Sequence, residues 1–336
     1  MSSTPRSKDY KVDDRELLLP LFQRFFWKPI VPLIPSWIAP NAITIFGALC
    51  SIAAVPCAVA GGAGHLGFWG LSALLLFIYT TADNLDGAHA RRTGQASKVG
   101  EFLDHGLDGL STGVLFIIPA LIITDNPVLI TAIVIIGILG YSITFWEQYH
   151  CGKLVIPMLG QIEGMVTIAG AEIVMGLLGN PSWSRYNGSF NVGAVYLLVI
   201  AIGFVVDFGA PFVRSLRAGA PLMQYVPLAA VTLLLGVPSL QNANPFIIAT
   251  SLSLSGATST LRLILMRLSG VEVPLVGVFQ VLGLVPVALS LIFPSIVWPN
   301  LGAAISMGLV AIAFSVDLAK GIVFARRVEP PAPTPA

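Results

Sequence analysis

Stretches of about 20 predominantly apolar residues, the length that crosses the hydrocarbon of a bilayer, recur from residue 42 almost to the C-terminus of this chain. Only short segments carrying Gly, Pro or charge separate them. Ten such runs can be counted, at 42–62, 66–82, 100–124, 127–147, 162–180, 192–211, 219–237, 245–266, 273–294 and 300–323. A soluble fold has no place for them. Of 336 residues 55% are hydrophobic and only 10% charged, against about 25% charged in an ordinary soluble domain. The pattern predicts an all-α, polytopic transmembrane helical bundle of about ten spans, a single membrane domain over 42–323 without a soluble module.

Residues 1–41 read as a cytoplasmic and interfacial N-terminal segment. Positions 1–16 are polar and charged, which predicts no cleaved signal peptide. Positions 15–38 mix Arg24, Phe25, Phe26, Trp27, Lys28 and Trp37 with leucines and prolines, the composition of an interfacial helix lying among lipid headgroups. The Pro- and Ala-rich end, 324–336, reads as a disordered cytoplasmic tail. Basic residues precede the first run (Arg6, Lys8, Lys11, Arg15, Arg24, Lys28) and return in alternate loops (Arg91, Arg92, Lys98; Lys153; Arg214, Arg217; Arg267; Arg326, Arg327), whereas the other loops hold only Arg185. Because Lys and Arg favour the cytoplasmic side, both termini and the Arg91 loop are expected inside. This describes an integral membrane protein of the endoplasmic reticulum or Golgi in a eukaryote, or of the inner membrane in a bacterium. The net charge of +1 argues against a nucleic-acid surface. Cys50, Cys57 and Cys151 match no disulfide framework or metal cluster and read as reduced packing residues. Asn187-Gly188-Ser189 is a glycosylation sequon in a predicted non-cytoplasmic loop.

Ionisable groups at membrane depth are costly, yet Asp83 and Asp86 close the second run and Asp104 and Asp108 open the third. On helices, separations of three and four residues put each pair on one face. The connection from Gly87 to Val99 is short enough to bring the two faces together. Four facing carboxylates repel unless cations lie between them, and Mg²⁺, which shares its coordination with phosphate, suits that place. Two such ions could polarise a phosphoryl group and stabilise a leaving oxygen. Arg91, Arg92 and Lys98 offer counter-charges for a diphosphate, and Gly87 and Gly100 permit close approach of a ligand to the backbone. The alternative is a solvated acidic rim around a loop.

Written out, Asp83-x2-Asp86-Gly87-x2-Ala90-Arg91-x8-Gly100-x3-Asp104-x3-Asp108 resembles the CDP-alcohol phosphotransferase signature at every fixed position. Eight such positions coincide by chance in fewer than about one window in 10⁹. Three further stretches resemble the choline/ethanolamine phosphotransferase branch: Ala39-Pro40-Asn41-Ala42-Ile43-Thr44, Gly100 to Asp108, and Trp146-Glu147-x-Tyr149-x2-Gly152-x-Leu154 followed by Glu163-Gly164. The resemblance implies Mg²⁺ or Mn²⁺, as two ions, on Asp83, Asp86, Asp104 and Asp108. It also implies a donor pocket shaped by Gly87, Ala90, Arg91 and Gly100, with Asn41 near the donor. The implied partners are CDP-ethanolamine or CDP-choline, diacylglycerol and membrane lipids, in a homodimer. Ala88 and His89 stand where that branch usually has Lys-Gln, a departure that bears on the donor.

Other roles stay open between two readings. His105 or Asp108 could take the proton of an acceptor hydroxyl, or His105 could donate to a ligating carboxylate. Lys98 could contact the substrate. Glu163 could orient His105 or meet a cationic headgroup, or be a hydrated span-end acid. Trp146 and Tyr149 could cage a quaternary ammonium or form an interfacial belt, and Asn41 could simply cap a helix. His65, His89 and His150 read as loop histidines, and Glu172, Asp207 and Asp317 have no assignable partner. Different chemistry would arise with CDP-diacylglycerol and a soluble alcohol, with a ceramide-like acceptor, or, in another class, in a cation transporter.

Overall fold

The computed structural model describes residues 11–328 apart from 159, 182–184, 187, 189 and 296. Asn187 and Ser189 of the sequon, Arg6, Lys8 and the tail beyond 328 lie outside the described residues, whereas 324–328, expected to begin a disordered tail, continue the last helix. The chain opens with a strand, β1 (Lys11–Asp14). A proline-broken helical run follows, comprising α1 (Leu19–Phe22), a wide turn at Gln23–Trp27, α2 (Lys28–Ile30) and a tight turn at Val31–Leu33. Long helices come next: α3 (Pro40–Gly62), α4 (Gly67–Thr93), α5 (Lys98–Ile123) and α6 (Pro127–Cys151). After β2 (Lys153–Ile156) come α7 (Gln161–Leu178), α8 (Val192–Arg217), α9 (Leu222–Gly236), α10 (Pro245–Ser269), α11 (Val278–Leu282), α12 (Leu284–Ile292) and α13 (Pro299–Val328).

Among the described residues, eight helices are long and apolar enough to cross a membrane. Two of the ten predicted spans are not among them, for different reasons. The run 66–82 lies in α4, which is 27 residues long but carries Asp83, Asp86 and two arginines in its second half. The run 273–294 is broken at Gly283 into α11 and α12, neither of which spans alone. The other boundaries agree closely, because apolar length is a local property of the chain.

Two helices make the centre. In α10 78% of the most apolar window is buried, whereas in peripheral α8 the figure is 6%, so α8 offers Leu198, Val199, Ile202, Val205 and Val206 to the surroundings. Lipid competes with helices for apolar contact, so packing in a bilayer relies on small residues that let backbones approach. Along α5, a Cβ on Gly106 would stand 2.5 Å from Leu261 of α10, and one on Gly109 would stand 3.0 Å from the Ala257 Cα. Arg262 of α10 also pairs with Asp317 of α13 at 2.5 Å, which supplies the partner that Asp317 lacked.

Among the described residues, two short elements are strands rather than helices. β1 pairs in parallel with β2, with Lys11 opposite Lys153 and Asp14 opposite Ile156. Asp13 clasps the pair by meeting Lys153 at 2.5 Å and Arg15 at 2.7 Å, contacts that hold its carboxyl down at about 2. The N-terminal segment therefore crosses the end of the bundle where α4 and α6 finish and α5 and α7 begin. Cys50 is buried, Cys57 half-buried and Cys151 exposed, and none is in a disulfide.

Gly109→Val should force α5 from α10 and destabilise the fold by about 1–3 kcal/mol, the usual scale of overpacking. A lowered melting temperature of the detergent-solubilised protein checks this.

Candidate active site

The connection between the acidic pairs is shorter than the sequence suggested. α4 continues through Gly87, Ala90 and Arg91 to Thr93, where Gly94 closes it at φ 69, and Ser97 caps α5 by accepting from the Gly100 amide at 2.9 Å. The turn is thus Gly94–Ser97, and the proposed pocket residues ride on the helix. Asp83 on α4 and Asp108 on α5 each lie ten residues from that turn's helix ends, about 15 Å along the axis. The site is a cleft within the bundle.

Each acid meets a different neighbour. The carboxylate of Asp86 accepts from the Thr44 hydroxyl of α3 and from the Gly87 amide. Asp83 interacts with the Asp108 carboxyl and with Gln161 at the start of α7. Asp108 Oδ1 accepts from the Tyr79 hydroxyl at 3.1 Å. Among the described residues, buried Asp104 Oδ1 has no hydrogen-bond partner. Asp104, His105 and Asp108 can each present one ligand atom within 4.8 Å of the others. This donor set fits a hard divalent cation: the oxygens suit Mg²⁺ or Mn²⁺, and the orphaned Asp104 oxygen lacks a protein partner of the kind buried polar groups require.

Around the acids, Asn41 and Gly100 come together, since a Cβ on Gly100 would stand 3.3 Å from Asn41 Oδ1. Arg91 folds over Gly87, where a Cβ would be 3.2 Å from its Nη1. Ala90 is buried one turn beyond Asp86. Lys98 Nζ is 3.5 Å from Glu101 Oε2, and Glu101 also pairs with buried Arg267 of α10. The His105 ring meets Phe145 edge-on at 5.3 Å, while its backbone carbonyl accepts from the Tyr141 hydroxyl at 2.9 Å.

Other residues take places that sequence could not assign. Glu163 Oε1 accepts from the Leu18 amide at 2.7 Å and Oε2 from the Gly160 amide at 3.1 Å, so its carboxylate closes α7 and ties down the arm. Trp146 is fully buried, donates to Gln224 at 2.8 Å and packs against Phe212 and Tyr225; it is a core residue, neither cage nor belt. His89 and His150 are helical rather than in loops. His89 is fully buried and bridges to the Ile38 carbonyl (2.9 Å) and Arg92 (3.1 Å). An arginine can only donate, so His89 Nδ1 accepts and Nε2–H donates to Ile38. Glu172 is buried on α7, and neither of its carboxylate oxygens has a hydrogen-bond partner among the described residues. Tyr79 and Gln161 carry no motif in the sequence, and Thr44 stands there only within the stretch 39–44, with no role of its own. The one signal for Tyr79 was its place a turn before Asp83; a hydroxyl or amide from another helix leaves no mark in local spacing.

Glu16 adds a fifth acid near the cleft. Its Oε1 accepts from the Ile162 amide at 2.8 Å, and a Cβ on Gly160 would run into its carboxylate. Burial, with Asp14, Glu163 and Asp83 adding negative charge, pushes the Glu16 carboxyl up to about 7.

A polytopic helical bundle enclosing an acidic, cation-fitting cleft defines the class of the molecule: an integral membrane protein built around a polar site. The chain belongs to the CDP-alcohol phosphatidyltransferase family, whose model matches residues 37–206, just over half of its length. It is 31% identical over 226 residues to an uncharacterized CDP-alcohol phosphatidyltransferase class-I family protein 2 of Dictyostelium discoideum, covering 64% of this chain and 55% of that one. It is 33% identical over 187 residues to cholinephosphotransferase 1 of Gallus gallus (52% and 54%). To ethanolaminephosphotransferase 1 of Homo sapiens it is 31% identical over 175 residues (47% and 44%). The chain spans about half the length of these curated relatives.

Because Glu16 holds its proton more tightly when folded than the ordinary value of 4.5, its contribution to arm docking is complete below that value and lost as pH rises through about 7. Amide exchange over residues 11–18, corrected for intrinsic rates, should therefore rise between pH 5.5 and pH 8, and Glu16→Gln should flatten that rise.

Proposed function

We propose that this protein transfers phosphoethanolamine or phosphocholine from a CDP-alcohol to the hydroxyl of diacylglycerol, releasing CMP. The observation that carries the reading is the approach of Asp83 on α4 to Asp108 on α5, which turns the two halves of the family signature toward one cleft. When bound, divalent metal on Asp83, Asp86, Asp104 and Asp108 supplies Lewis-acid polarisation of the diphosphate and neutralises its charge.

The chain's own residues do the rest. Arg91, folded over Gly87, is placed to meet the diphosphate with a planar donor fork, and Asn41 beside Gly100 borders the donor. The acceptor oxygen forms a bond to the phosphorus that bears the headgroup alcohol, and the bond from that phosphorus to the CMP oxygen breaks. The acceptor's proton passes to His105 or Asp108, and CMP leaves with the bonding electrons. Such a transfer needs mainly positioning and charge neutralisation. Thr44 and Gln161 hold two of the acids in place, and the arm with α7 covers the cleft beside them. Arg91, Arg92, Lys98, Arg214 and Arg267 gather at this end of the bundle, and we place that face in the cytoplasm, where nucleotide donors are available. A homodimer is not part of the proposal.

Purified protein with Mg²⁺, diacylglycerol and CDP-ethanolamine or CDP-choline should release CMP. If neither donor yields CMP, the assignment is wrong; CMP only from CDP-diacylglycerol with a soluble alcohol, or only with a ceramide-like acceptor, would move the protein to another substrate class. Asp108→Asn should abolish turnover while the protein still inserts and remains monodisperse. His105→Ala should slow turnover by roughly 10²-fold if it takes the proton, and a loss within a fewfold would assign that role to Asp108.

A further inference from the structure

The cleft contains a buried hydroxyl to which the transfer chemistry above assigns no role. Tyr79 is 3% exposed. Its ring lies against α3, where a Cβ on Gly47 would stand 3.7 Å from its Cδ2, so packing places the side chain independently of its hydrogen bond. Its hydroxyl donates to Asp108 Oδ1 at 3.1 Å. The ring packing against α3 thus places Tyr79, and its single hydroxyl proton goes to Asp108.

Asp108 is the acid that most needs such an anchor. It belongs to the tight group with Asp104 and His105 and also touches Asp83, so it feels repulsion from both acidic pairs. The torsion that turns a carboxylate is soft, and repulsion would swing this one out of the cleft. A donor fixed on one oxygen opposes that swing and leaves the other oxygen available.

We propose that Tyr79 is a positioning residue for the transfer: by pinning Oδ1 it holds Asp108 in the orientation that binds divalent cation. The inference deepens the phosphotransferase reading and rests on it for the kinetic consequences, but its central claim concerns cation binding alone. Partners that orient a ligating carboxylate are typically worth 10–100-fold in metal affinity or activity.

The test is an electron paramagnetic resonance titration of Mn²⁺ into the purified full chain, without nucleotide, for wild type, Tyr79→Phe, Asp108→Asn and the double variant. Tyr79→Phe removes one hydroxyl and keeps the ring. We expect it to bind Mn²⁺ about tenfold or more weakly, the double variant to bind no more weakly than Asp108→Asn alone, and CMP release to fall in kcat with the KM for CDP-alcohol within twofold. Unchanged Mn²⁺ affinity in Tyr79→Phe, or losses that add in the double variant, overturns the proposal. Melting curves with and without Mn²⁺ guard against a purely structural effect: a melting temperature that falls equally in both makes the hydroxyl structural and also overturns it. Failure of the wild type to release CMP sinks the proposed reaction but leaves the Mn²⁺ comparison intact, so the two failures are distinguishable.

Discussion

Four carboxylates turned toward one another inside a helical membrane bundle are the constraint around which this molecule is organised. Left alone they would repel and force α4 and α5 apart. The surrounding protein answers with neutral donors from separate elements: Thr44 of α3 on Asp86, Tyr79 of α4 on Asp108, and Gln161 of α7 on Asp83. Asp104 keeps one buried oxygen without a partner among the described residues. Neutral donors orient a carboxylate without neutralising it, so they preserve the negative charge that would attract a cation.

The N-terminal arm belongs to the same arrangement. It is stitched down at β1, at Glu16 and Leu18 on the start of α7, and at the Ile34 and Ile38 carbonyls by Arg92 and His89 of α4. Trp27 packs with Leu85 and Ile162 beneath it. His89 stands where the choline/ethanolamine branch usually has another residue, and its structural role here is definite, since it joins the arm to the helix that carries Asp83 and Asp86.

On the far side of the cleft, α10 supplies the wall. Gly106, between the two acids of α5, and Gly109, directly after them, bring its backbone against Leu261 and Ala257. The acids and the helix contact thus lie on one helix within a few residues of each other, so a change in packing there would be felt at Asp108.

Much of this was legible in the chain alone. Span length and apolarity are local, so most helix boundaries could be read directly. The intervals 83/86 and 104/108 follow from helical periodicity and reported which side chains share a face. What the sequence could not state is what each face looks at. The break at Gly283, the continuation of α4 through Gly87, and the pairing of Lys11 with Lys153 depend on neighbours distant in the chain. So do the use of Glu163 as a backbone clamp, the burial of Trp146, and the hydroxyls of Thr44 and Tyr79 on the aspartates. Residue spacing along a helix determines an angle about its own axis; only the packing of one helix against another decides which partner stands at that angle.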